Sequence, residues 1–73
     1  MKSIPLLAVV ALTEDLPHHK LTRGQMGTVV EHLEHDGEEA LLVEFSNEQG
    51  ETHAIAPVSP VQLIVLHRKT QAA

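Results

Sequence analysis

The chain contains no cysteine, no tryptophan and no tyrosine, and Phe45 is its one aromatic residue. Without cysteine there are no disulfides, no thiolate metal sites and no cysteine nucleophile, which is compatible with a cytoplasmic location. Without an aromatic set the chain cannot stack bases or line a groove for a proline-rich peptide, because both rely on several rings. Cations are also few. Lys2, Lys20, Arg23, Arg68 and Lys69 stand against ten acids, for a formal charge of −5. Nucleic-acid affinity comes largely from neutralising phosphates with Lys and Arg, so this balance opposes such a partner and favours a basic one.

The longest apolar run, Ile4–Leu12, is interrupted at Pro5 and is too short to span a membrane. With Lys2 ahead of it the run has the look of a minimal signal peptide, but it reads better as a first strand. No membrane association is expected.

What is present is β-forming. In a chain of 73 residues, 42% are hydrophobic, mainly Val, Leu, Ile and Ala, an ordinary globular fraction that argues against disorder. Such a chain forms one domain with a thin core, burying only about 60% of its unfolded surface. The single domain is taken as 1–73, with a core over about 6–66 and a polar tail over 67–73. Strands are predicted over Leu6–Leu12, Gly27–Glu34, Ala40–Phe45, Thr52–Ala56 and Leu63–Leu66. Asp36-Gly37 is a strong hairpin signal. Pro57, Ser59 and Pro60 are expected to break the ladder, with one helical turn over Pro60–Gln62. Strict alternation along the second strand would bury Glu31 between Val29 and Leu33, and a bulge near Val30–His32 relieves that conflict. No segment has an apolar period long enough for a true helix. The fold class is therefore all-β: a small five-stranded SH3-like barrel with one short helical turn before the last strand.

The stretch "LTRGQMGTVVEHLEHDGEEALLVEFSNEQGETHAIAPVSPVQLIVL" resembles a bacterial family of small domains of unknown function with that barrel. The resemblance runs from about Val10 to Leu66 through an Arg-Gly-Gln-x-Gly-Thr-Val-Val step, a "VEF" strand, a "GET" turn and a "Q-L" step. It implies the fold and no activity. Similar Gly-x-x-Gly-Thr-Val steps occur in ribosomal-type RNA-binding barrels and in the barrel of the nitrile hydratase small subunit.

Gly24 and Gly27, with Gly37 and Gly50, read as turn residues, or as places where backbone comes close as the barrel closes. A phosphate cradle would need a helix behind the glycines, and a strand follows them. Six histidines raise the question of metal, yet His18 and His19 are adjacent, His32 and His35 would point to opposite strand faces, and no strong zinc spacing occurs. No metal site and no cofactor are expected. The carboxylates at 31–39 gather around a hairpin tip rather than a pocket, and no serine has a nucleophile-elbow context, so no enzyme activity is expected. The most economical expectation is a non-catalytic protein-interaction or accessory module, antitoxin-like in size and charge. Its partner-binding candidates are Asp15, His18, His19 and Arg23 in the 13–25 loop, and Glu31, Glu34 and Asp36 at the acidic hairpin. An RNA-binding barrel and a histidine-based metal or small-ligand binder are the alternatives. Val30, Leu42 and Ile64 or Val65 cannot all face inward, and a homodimer would cover the surplus.

Overall fold

The computed structural model describes residues 4–47 and 49–67. Five strands, β1 (Val9–Leu12), β2 (Met26–His35), β3 (Glu38–Ser46), β4 (Thr52–Val58) and β5 (Leu63–His67), form one antiparallel sheet in the order β4-β3-β2-β1-β5. The protein is all-β; its only helical pieces are 3-10 turns at Pro17–His19 and Pro60–Gln62. β4 and β5 are the two edges of the sheet, so its ladder does not close into a hydrogen-bonded barrel among the described residues.

One face of the sheet holds the core. Val10 and Leu12 from β1, Val29 from β2, Leu41, Val43 and Phe45 from β3, Ala56 and Val58 from β4 and Leu63 from β5 are buried. Leu21 seals one end of this cluster, with half-buried Leu16 bridged to it across the loop. Ile4 also belongs to the cluster, so the core starts before residue 6.

The first strand is shorter than its apolar run predicts. Leu7 has φ 68, Ala8 N–H donates to Pro5 O at 3.3 Å, and the chain turns before β1 begins at Val9. Nothing polar marks this turn, which hides it inside the run. Pro57 does not end the fourth strand either. It pairs with Leu42 within β4, and an edge strand tolerates a residue with no N–H to donate. His67 belongs to β5 rather than to the tail, and 68–73 lie outside the described residues. The turn over Pro60–Gln62 forms where its sequence signals place it: Gln62 Oε1 accepts the Ser59 N–H at 3.1 Å.

Turn chemistry explains the β2–β3 hairpin. Asp36 and Gly37 have φ 53 and 81, the two positive values that a two-residue type I′ loop requires. The bulge sits at Val30: Val29 pairs with Val43 and Glu31 with Leu42, leaving Val30 as the extra residue. Val30 and Glu31 are exposed, so the carboxylate escapes the core.

Gly24 and Gly50, at φ 88 and 82, occupy turns that a side chain would strain. Gly27 is different: it is no turn residue, and the close-approach reading is the one that applies. It lies inside β2, buried, opposite Phe45. A Cβ there would meet Val43 Cγ1 at 2.7 Å, Glu44 O at 2.8 Å and Phe45 Cδ1 at 2.9 Å. Close approach, not backbone freedom, requires glycine at this position.

The segment before β1 is tied down by three bonds to β2, one of them from Val29 N–H to Ala8 O at 3.0 Å. Leu7 N–H donates to Val29 O at 2.7 Å, and His32 Nε2 lies 2.6 Å from Ile4 O. A carbonyl only accepts, so His32 carries its proton on Nε2. Replacing His32 with alanine is expected to lower stability by about 1–2 kcal/mol, through the lost bond and lost side-chain contacts. Hydrogen exchange checks this: the Leu7 amide exchanges faster in the variant, and an unchanged rate contradicts the tether.

Candidate functional site

The seven partner-binding candidates fall into two groups at opposite ends of β2. Asp15, His18, His19 and Arg23 lie in the loop that leads into β2, and all four are exposed. Asp15 has a structural task there, because its Oδ1 accepts the Arg23 N–H at 2.8 Å and draws the two arms of the loop together. His18 and His19 end the 3-10 turn that opens at Pro17, and Lys20 follows at φ 58. Glu31, Glu34 and Asp36 lie on the far half of β2 and on the hairpin loop. The first half of β2, Met26–Val30, separates the two groups at about 3.3 Å per residue.

The Gly24–Thr28 segment lines a shallow groove of about 570 Å³ together with Val9, Ser46 and Asn47. Met26 is 53% exposed in it. Among the described residues the lining carries no charged or titratable side chain.

The acidic hairpin has the more unusual electrostatics. Along β3, Glu39 shares the parity of Leu41, Val43 and Phe45, which puts it on the core face of the sheet. Beyond the bulge, β2 places Glu34 directly opposite Glu39. Two carboxylates thus face each other where the core runs out. Glu39 is half-buried, and its Oε2 is fully buried with no hydrogen-bond partner among the described residues. On the opposite face His35 pairs with Glu38, and His35 Nε2 lies 3.3 Å from Asp36 Oδ2 in open solvent. A polar contact so exposed contributes little to stability. Glu39 belongs to the carboxylate cluster seen in the sequence but was not among the partner-binding candidates, although its parity with three core residues was the available signal.

The histidines do not assemble. His32 is held by Ile4 O near the bulge. His53 is the extra residue on β4 between the pairs Phe45–Ala54 and Ser46–Thr52, toward the other end of the sheet. Among the described residues no group of three or more His, Asp or Glu side chains is placed to hold a metal ion. Among them, too, no helix is long and apolar enough to cross a membrane.

Fold and surface together define a small antiparallel β domain with an acidic hairpin extending past its core. Residues 6–65 match the family described as "Domain of unknown function (DUF4926)", and the chain belongs to that family. No curated protein and no solved structure matches it.

Proposed function

We propose that this domain is a non-catalytic interaction module that binds a basic protein partner through its β2–β3 hairpin, as an accessory or antitoxin-like component acting in the cytoplasm. The observation that carries this reading is the Glu34–Glu39 pair, with a buried Glu39 Oε2 that has no hydrogen-bond partner among the described residues. Like charges directly opposite on a sheet oppose folding by about 0.2–1 kcal/mol. A buried acceptor with no donor costs about 1–3 kcal/mol. A lysine or arginine from a partner relieves both, since it brings donors and positive charge to one place. The described cations of this chain, Lys20 and Arg23, sit in the loop at the other end of β2 and do not serve this pair.

The domain thus keeps an arrangement that weakens the free protein, as binding surfaces often do. Glu39→Gln is expected to raise the stability of the free domain by about 0.5–1 kcal/mol, because it removes the repulsion and supplies a donor. The same variant, combined with Glu34→Gln, is expected to lose the partner. Affinity capture from native extract, with and without nuclease, tests both halves beside a thermal melt. The expected result is a basic protein retained by the wild type after nuclease and lost by the double variant. Material that disappears on nuclease treatment supports an RNA-binding barrel instead. A destabilised Glu39→Gln contradicts the electrostatic account.

A further inference from the structure

The outer face of the sheet, opposite the core, carries an apolar row at the level of the bulge. Pro57 on β4 pairs with Leu42 on β3, and Leu42 pairs with Glu31 on β2, beside the bulged Val30. Leu7 continues the row, because its N–H bonds to Val29 O, next in sequence to Val30. Pro57 is exposed, Leu42 half-buried, Val30 38% exposed and Leu7 47% exposed.

Two backbone irregularities produce this exposure. The bulge turns Val30 and Glu31 out together. Leu7 is held at φ 68, a left-handed conformation that a bulky residue adopts only where its surroundings impose it. Strain of this kind concentrates at ligand-binding positions.

Carboxylates border the row. Glu31 lies within it, and Glu44 is the next outward residue along β3, between Ile55 on β4 and Thr28 on β2. A second copy of this chain would bring its own Glu31 and Glu44 against these, so charge selects a cationic occupant.

Strand spacing sets the shape of that occupant. Neighbouring strands lie about 4.8 Å apart, close to the 5.4 Å pitch of an α-helix. A helix laid across the strands presents apolar side chains at i, i+3 or i+4, and i+7 at nearly this interval. We propose that the row Leu7–Val30–Leu42–Pro57 receives one face of a basic amphipathic helix of the partner, with its lysines or arginines reaching Glu31 and Glu44. This rests on the basic-partner reading and adds the partner's secondary structure and apolar face.

The test is a fluorescence-anisotropy titration of the intact domain with two labelled helical peptides of equal charge. One is an idealised Leu/Lys amphipathic helix, and in the other serine replaces leucine. The wild type is expected to bind the Leu/Lys peptide about tenfold more tightly at the same salt concentration, since a well-seated apolar anchor contributes a factor of this order. Val30→Ser and Leu7→Gly are each expected to remove most of that preference. Glycine accepts φ 68 without strain, so Leu7→Gly is also expected to melt no lower than the wild type, which separates docking from folding. Equal affinity for both peptides, or an unchanged preference in Leu7→Gly, overturns the apolar row and leaves the acidic hairpin standing. Failure of both peptides to bind at low salt overturns the basic-partner reading as well.

Discussion

Replacing Gly27 with alanine is expected to destabilise the domain by about 2–3 kcal/mol, at the upper end of what one extra methyl group does in a filled core. The new Cβ would stand 2.8 Å from Glu44 O, a backbone atom, as well as 2.7 Å from Val43 Cγ1 and 2.9 Å from Phe45 Cδ1. Side chains can yield by rotation, but a carbonyl in a paired strand yields only if β3 moves. Alanine regains about 0.5–1 kcal/mol by restricting the unfolded chain, which does not offset the clash. Gly24 offers the control. It has open space around it and φ 88, so Gly24→Ala meets only backbone strain of about 1–2 kcal/mol. Denaturant melts of the two variants check the ranking. Gly27→Ala as stable as the wild type contradicts the close-approach explanation.

Phe45→Ala is expected to have the larger effect, about 3–5 kcal/mol. Domains of this length are stable by about 4–11 kcal/mol in total, so the variant is expected to lose its cooperative transition or to melt far below the wild type. Phe45 is fully buried and heads the largest side chains in the core. It pairs with Gly27 on one side and Ala54 on the other, so the ring fills space that two small neighbours leave. Gly27 and Phe45 therefore act as a unit: glycine makes the room, and the only aromatic residue takes it. A double-mutant cycle tests this. Gly27→Ala is expected to be milder in a Phe45→Leu background, though not neutral, because Glu44 O remains in the way. Strict additivity contradicts the pairing.

These two residues also show how far the sequence could be read. The presence of five strands, the Asp36-Gly37 loop, the turn at Pro60–Gln62 and the bulge were legible because each has a local signature. The bulge is the most instructive, since Glu31 between Val29 and Leu33 forbids plain alternation. The start of β1 was not legible. Leu6 and Leu7 look like strand residues, and it is the bond from Leu7 N–H to Val29 O that holds the turn at φ 68. Pro57 was misread because its tolerance depends on β4 being an edge, a property of the whole sheet. Gly27 was read as a turn residue or a close approach, and which of the two holds depends on Val43, Glu44 and Phe45 across the sheet.

The candidate surface was legible in part. The carboxylates of the hairpin stand out in the sequence, and their parity already assigns Glu39 to the core face. That Glu34 faces it depends on the register after the bulge. The two ends of β2 also had to be seen apart before Asp15, His18, His19 and Arg23 separated from Glu31, Glu34 and Asp36.

The most direct test of the account is a chemical-shift titration of the isotopically labelled domain with the Leu/Lys peptide at low salt. The account predicts two sets of changes: one along the outer-face row at Leu7, Val30, Leu42 and Pro57, which fades in Val30→Ser, and one at the Glu34–Glu39 pair on the other face, which fades in Glu34→Gln/Glu39→Gln. Changes confined to the 13–25 loop or to the Gly24–Thr28 groove, and indifferent to that double substitution, would contradict it.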